Sequence, residues 1–109
     1  LANLVAPAAA CAATALLARH GLACADVGAW LIHPGGPAIL DAIGRRVSAA
    51  PDQLRWSWES LRAFGNTSSA AIFDVMARYL AEPAPSGWAV AAAFGPGVAI
   101  ELLLLRRCD

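Results

Sequence analysis

The chain has 109 residues, enough for one ordinary domain with a single core, and 59% of them are hydrophobic. Eight arginines balance eight acidic residues, so no basic field for nucleic acid or anionic lipid exists, and no acidic field for cations. These numbers exclude charge-driven binding, while the apolar excess suggests that the chain has lost a partner surface.

The first predicted element is an Ala-rich helix from about Pro7 to His20. Proline suits a first helical turn, because its missing amide would be unpaired there, and Gly21 can supply a left-handed C-terminal cap. His20 then lies in the last turn, where a capping role accounts for it. The uncharged run 4–18 is shorter than a membrane span and has no basic leader, so we expect no membrane insertion.

Three cysteines are widely separated along the chain: Cys11, Cys24 and Cys108. Their odd number and spacing indicate neither a disulfide framework nor a metal site, and they favour a reducing, cytoplasmic location. None has the neighbourhood of an activated nucleophile, so we expect no catalytic cysteine in this chain.

A short apolar strand is predicted at residues 29–32, ending at His33. The sequence His-Pro-Gly-Gly-Pro at 33–37 breaks this strand and opens a helix from about Pro37 to Val47. Open α/β sheets carry their chemistry where strands end and helices begin. His33 could simply cap the helix, but two glycines that permit close approach of a ligand favour a functional role.

Asn66 follows the next predicted helix, which Asp52 is expected to cap and which runs to Phe64 before Gly65 ends it. Another helix is predicted from residue 68 or 69 to Leu80, apolar on most faces and therefore interior. Asn66 could cap that helix or face a ligand, and the residues alone leave both possibilities open.

Two further strands are predicted at 88–94 and 98–105, around a Phe-Gly-Pro-Gly segment that suits either a tight hairpin or a pocket wall. Their continuous apolar residues favour a sheet covered on both faces, hence an α/β fold. An imidazole and a carboxamide at strand and helix ends can both aim N–H donors at one carbonyl oxygen. The chain therefore has the donors that stabilise an enolate or an oxyanion.

Three motifs occur in the order and spacing of the type III polyketide synthases, the chalcone and stilbene synthase family. They are WLIHPGGPAIL at 30–40, GNTSSA at 65–70 and FGPG at 94–97. The chain resembles the C-terminal part of that family's thiolase-like fold over nearly its whole length. The resemblance implies that residues 1–109 are a partial C-terminal domain, with helices covering a mixed sheet and the first strands of that half absent.

The resemblance also implies a chemistry. A cysteine in an N-terminal half would carry the acyl chain, and His33 and Asn66 would bind the malonyl thioester carbonyl during decarboxylation. Malonyl-CoA and an acyl-CoA starter would be the substrates, no metal or further cofactor would be needed, and the protein would form a homodimer. Without the cysteine-bearing half, this chain is predicted to be inactive.

The resemblance assigns substrate contacts as well. The residues that match the wall of the acyl cavity are Ser68, Ala93, Phe94, Gly95 and Pro96. Two positions depart from the common pattern, because Thr67 replaces a frequent Met and Ala93 a frequent Gly. An added methyl at a cavity wall can redirect a flexible chain, so the starter, the number of extensions and the product stay open.

Two other functions remain open at this stage. The chain could be a truncated, non-catalytic remnant that keeps the fold without turnover. It could also be a relative of ketoacyl synthase III, which primes fatty acid synthesis and shares the His and the Gly-Asn-Thr-Ser motif. Those enzymes normally follow the His with Gln-Ala-Asn, whereas this chain has Pro-Gly-Gly-Pro.

Overall fold

A three-stranded mixed sheet organises the chain. The structure, a computed structural model, describes residues 2–66, 70–83, 87–95 and 99–108. The helices are α1 (Ala2–Ala18), α2 (Pro37–Arg46), α3 (Arg55–Phe64) and α4 (Ala71–Ala81), and the strands are β1 (Val27–Ile32), β2 (Gly87–Phe94) and β3 (Ile100–Arg107). Short 3₁₀ turns precede β1 and α3, at Cys24–Asp26 and Pro51–Leu54.

The strand order is β1, β2, β3, with β1 parallel to β2 and β2 antiparallel to β3. A parallel pair needs a long crossover, which here contains α2, α3 and α4. The predicted α/β class with a mixed sheet is therefore confirmed. Since β1 and β2 are parallel, their carboxyl ends meet at one edge of the sheet.

Alternate strand residues face two separate apolar layers. Trp30, Ile32 and Val90 pack with α1 and α2, whereas Leu31 and Ala91 pack with α3 and α4. One extra residue, Gly28, interrupts the ladder between Val27 and Ala29. The sheet is thus covered by helices on both sides over β1 and β2.

Helix α1 begins earlier than predicted. It starts at Ala2, so Pro7 lies inside the helix and not in its first turn. Burial of Val5 and Ala6 stabilises the turn before the proline. The predicted end is confirmed, because Gly21 has φ +72° and the amide of Leu22 reaches the carbonyl of Leu17 at 2.9 Å. Within the part of the chain that the structure describes, no helix is long and apolar enough to cross a membrane.

The start of α3 also differs from the prediction. Asp52 does not cap this helix but lies in the 3₁₀ turn that Pro51 opens, and its carboxylate pairs with Arg55 at 2.9 Å. Leu54 is the residue before the helix and makes no side-chain cap. The end at Gly65 is confirmed, with φ +68° and a hydrogen bond from its amide to the carbonyl of Leu61.

Two predictions of full burial are wrong for this chain. Helix α4 buries one face, yet Phe73 and Leu80 are 72% and 64% exposed. Strand β3 alternates between exposed and half-buried residues, and its Leu103 is 52% exposed. Leu102 and Leu104 of β3 pack against the α1 and α2 layer and Leu105 against the α3 and α4 layer. Phe73, Leu80 and Leu103 nevertheless stay more than half exposed.

Candidate active site

His33 directly follows β1, at the edge where the carboxyl ends of β1 and β2 meet. Its amide donates to the carbonyl of Ala92 on β2 at 2.8 Å, so the strand pairing extends to this residue. The side chain is buried, with 6% of its surface exposed. A rigid sheet therefore holds the imidazole where open α/β folds place their chemistry.

The Pro-Gly-Gly segment turns the chain away immediately after His33. The amide of Gly35 donates to the carbonyl of His33 at 2.8 Å, across Pro34. A Cβ on Gly35 would lie 3.4 Å from Cδ2 of His33 and 3.3 Å from Cδ1 of Ile39. Gly36 has φ +148°, a conformation that side chains rarely adopt. The glycines thus allow the backbone to pass close beside the imidazole ring.

Phe94, the last residue of β2, packs against the same ring. The two ring centroids are 6.0 Å apart and the planes meet at 84°, an edge-to-face arrangement. Nδ1 of His33 is buried and has no hydrogen-bond partner among the described residues. An apolar wall on one side therefore limits how the imidazole can turn.

Asn66 reaches His33 from the end of α3. A side-chain hydrogen bond joins the two residues, which are 33 positions apart in the sequence. Burial lowers the pKa of His33, and the hydrogen bond with Asn66 opposes that decrease without cancelling it. At neutral pH the imidazole is therefore uncharged, with one N–H donor and one acceptor nitrogen.

The capping role that the sequence allowed for His33 is wrong. The residue before α2 is Gly36, not His33, and no side chain caps that helix. The residue before α4 is Ala70, four positions after Asn66. His33 is thus not a helix cap, and its side chain meets that of Asn66. The predicted cap by Asn66 concerns a helix start at residues 68–69, which lie outside the described residues.

The predicted substrate contacts divide between two places. Phe94 lies against His33, whereas Ala93 faces the α3 and α4 layer and lines a groove of about 280 Å³ between α4 and β3. Gly95 follows β2, and its amide donates to the carbonyl of Ala99 at 2.8 Å, which closes the β2 and β3 hairpin. Ser68 and Pro96 lie outside the described residues.

Sequence reasoning missed Ser57, a serine in the first turn of α3. Its side chain is completely buried, and its Oγ accepts a hydrogen bond of 3.0 Å from the amide of Ile32, the residue before His33. Ser60, one turn later, is also buried. Two serines at i and i+3 on one side of an amphipathic helix, among tryptophan and leucine, indicate a buried polar contact, and this spacing is the available signal.

The cysteines are all free, with Cys11 and Cys108 exposed and Cys24 half-buried. The acyl-carrying cysteine that the resemblance implies stays a prediction.

The sequence matches the C-terminal domain of chalcone and stilbene synthases over residues 9–109. The chain belongs to this family. The resemblance read from the three motifs is thereby confirmed, and residues 33 and 66 fall within the matched region.

Curated relatives of the chalcone and stilbene synthase family come from bacteria, fungi and plants. A 1,3,6,8-tetrahydroxynaphthalene synthase of Streptomyces peucetius subsp. caesius is 42% identical over 83% of this chain. A type III polyketide synthase of Penicillium soppii is 42% identical over 73%, and type III polyketide synthase C of Arabidopsis thaliana is 38% identical over 72%. The matches span 24%, 20% and 22% of those proteins, so this chain corresponds to about a quarter of their length.

Solved structures of family members share the fold. A polyketide synthase of the brown alga Ectocarpus siliculosus superimposes with a TM-score of 0.81 and 31% identity, covering 99% of this chain and 31% of that one. The C-terminal type III polyketide synthase domain of Steely1 from Dictyostelium gives a TM-score of 0.74 and 32% identity, covering 84% and 25%. The arrangement of helices and sheet is thus that of the family's C-terminal half.

Proposed function

We propose that this chain supplies the His and Asn half of an active site that condenses malonyl-CoA onto an acyl-CoA-derived starter by decarboxylation. The observation that supports the proposal is the buried imidazole of His33, hydrogen-bonded to Asn66 at the end of a parallel strand pair. Family membership supports polyketide synthesis in general. The pair of hydrogen-bond donors supports one specific step of that activity, the decarboxylation of the malonyl thioester.

In the proposed step, the carbonyl oxygen of the malonyl thioester accepts hydrogen bonds from His33 and Asn66. Loss of carbon dioxide leaves the electron pair of the broken C–C bond on the α-carbon, and the resulting enolate places negative charge on that oxygen. Two fixed donors stabilise this charge without reorganisation. The buried setting strengthens both hydrogen bonds, since little water competes for them.

The enolate then needs an acyl group to attack. We propose that a cysteine in the N-terminal half carries this group as a thioester, and that the attack forms a C–C bond and releases the thiolate. An imidazole can hold that thiolate ready before acylation, because a nearby negative charge raises the pKa of His33 against the effect of burial. The chain is thus active only together with the cysteine-bearing half.

Substitution of the two donors tests the proposal. We expect His33→Ala and Asn66→Ala, each made in the protein that joins this chain to its cysteine-bearing half, to slow malonyl-CoA decarboxylation at least about a hundredfold. That factor corresponds to about 3 kcal/mol for one oxyanion donor. The measurement is release of carbon dioxide from labelled malonyl-CoA.

Matched controls come from the same residue types elsewhere in the chain. His20 is exposed after α1 and Asn3 is exposed near its start, so His20→Ala and Asn3→Ala should keep wild-type decarboxylation. Carbon dioxide release at the wild-type rate from both site variants would refute the proposed function.

A further inference from the structure

A buried hydroxyl joins the two elements that carry the site. Ser57 lies on α3 with its side chain inaccessible to solvent, and its Oγ is 3.0 Å from the amide nitrogen of Ile32 at the end of β1. His33 is the next residue after Ile32, and Asn66 comes two residues after the end of α3. The hydrogen bond therefore directly joins β1, which precedes His33, to α3, which precedes Asn66.

Strand β1 is held on both sides at this point. The amide of His33 donates towards β2, to the carbonyl of Ala92. The amide of Ile32 points to the other side, where the described part of the chain has no further strand. Ser57 supplies the acceptor on that side. The backbone that precedes the imidazole is thus fixed by β2 on one edge and by α3 on the other.

Because α3 continues well beyond Ser57, a small tilt of the helix at Ser57 produces a larger displacement at its far end. Phe64 lies seven positions after Ser57, a distance of about 10 Å along the helix axis. A tilt of about 10° around Ser57 would move the helix end, and Asn66 with it, by about 2 Å by the same geometry. A displacement of about 1 Å is enough to cost a catalytic constellation about a hundredfold in rate.

We propose that Ser57 is a positioning residue, whose hydrogen bond to the Ile32 amide docks α3 on β1 so that Asn66 and His33 meet at one point. The inference rests on the proposed function, because the point where they meet is the proposed site of the thioester carbonyl. Ser57 itself touches no reacting atom. Its role is to set the distance between two donors on different elements.

Three variants of the complete protein test this role. In Ser57→Ala the Ile32 amide loses its acceptor, and we expect kcat for malonyl-CoA decarboxylation to fall about 10- to 100-fold, with KM changed less than about threefold. Ser57→Thr keeps a hydroxyl at the same position and should restore most of the rate. A merely structural loss would lower the amount of folded protein and leave kcat per folded molecule unchanged.

Ser60→Ala is the matched control. Ser60 is a serine of the same helix, 1% exposed, and its hydroxyl bonds the side chain of Asp74 on α4 and not β1. Removing it should lower stability to a similar extent and keep kcat within about twofold of wild type, because the link to Ile32 is intact. Equal losses of kcat in Ser57→Ala and Ser60→Ala would overturn the inference.

A spectroscopic readout separates this inference from the proposed function. Long-range ¹H–¹⁵N correlations of the His33 ring should show one neutral tautomer in wild type and Ser57→Thr, since the hydrogen bond with Asn66 selects it, and a mixture in Ser57→Ala. Unchanged ring signals and wild-type kcat in Ser57→Ala overturn the role of Ser57 alone. Full activity of His33→Ala overturns the proposed function, and the ring signals then still decide whether Ser57 maintains the contact.

Discussion

His33 shows how a single side chain acquires its properties from its neighbours. The sheet fixes its backbone, Phe94 blocks one side of the ring, and Gly35 leaves a narrow space on another. Burial then makes the charged imidazolium unfavourable, which lowers the pKa of His33. The imidazole is thus neutral because β1 ends at a buried position.

The lowered pKa predicts a pH dependence of stability. The folded protein holds its proton on His33 less tightly than the unfolded chain, whose histidine titrates near 6.5, so between the two pKa values the unfolded state binds more protons. The stabilising contribution is complete above about pH 6.5 and is lost as the pH falls through the folded pKa. Urea unfolding between pH 8 and pH 5 should show this decrease, and His33→Gln should reduce it. An identical decrease in His33→Gln would contradict the prediction.

Gly35 gives a second prediction at this scale. A Cβ there meets His33 and Ile39 at 3.4 and 3.3 Å, closer than most van der Waals contacts, so Gly35→Ala should displace the imidazole by a few tenths of an ångström. We expect decarboxylation to slow about tenfold while the protein stays folded. Gly28→Ala is the control, because its Cβ would lie at an ordinary 3.8 Å from the carbonyl oxygen of Trp88. Equal rates in the two variants would count against this account.

Among the elements, β3 supplies the hydrogen-bond donor for the carbonyl groups at the end of α4. The guanidinium of Arg107 donates to the carbonyls of Tyr79 and Glu82, each at 2.7 Å, and more weakly to that of Leu80 at 3.4 Å. The last carbonyls of a helix have no intrahelical partner, so one arginine here satisfies the end of α4 and ties it to the sheet.

This arrangement predicts unequal effects for two adjacent arginines. Arg107→Ala leaves several carbonyls unsatisfied and should lower the free energy of unfolding by about 1–3 kcal/mol. Arg106→Ala removes an exposed side chain whose guanidinium carbon lies 5.5 Å from the centre of the Trp88 ring, and should cost about 0.5 kcal/mol. Urea unfolding of both variants measures the difference, and similar midpoints would disprove the role assigned to Arg107.

The elements also show what sequence patterns can and cannot predict. Local signals identified β1, α2 and the glycine stop at Gly21, because strand runs, proline and left-handed glycines act over a few residues. The prediction that Asp52 caps α3 is wrong, because a 3₁₀ turn and a helix begin with the same residue types. The contact between Ser57 and the Ile32 amide joins positions 25 residues apart, and no local pattern encodes which amide a buried hydroxyl will meet.

For the whole molecule, the apolar residues left in solvent are as informative as the core. Phe73 and Leu80 lie on one face of α4, seven positions apart, with half-buried Met76 between them, and Phe64 at the end of α3 is 61% exposed. Large exposed side chains at helical spacing mark a contact surface. The chain spans about a quarter of its relatives' length. Under the proposed function, the cysteine-bearing half would cover this face.

This surface predicts how the isolated chain behaves. We expect the chain alone to self-associate, and the double substitution Phe73→Ser and Leu80→Ser to make it more monomeric in sedimentation experiments, because two exposed apolar side chains are removed. In the complete protein the same change should weaken the packing between the halves and lower the unfolding temperature. Unchanged sedimentation together with unchanged unfolding would show that this face contacts nothing.

The extra residue in β1 has a consequence for how this domain can vary. Gly28 absorbs an irregularity at the amino end of the strand, and from Ala29 to Ile32 the ladder with β2 continues without interruption. The bulge can therefore absorb an insertion or deletion in the segment after α1, so that the side chains beyond it keep their faces of the sheet. The length of that segment can thus change while the imidazole keeps its orientation.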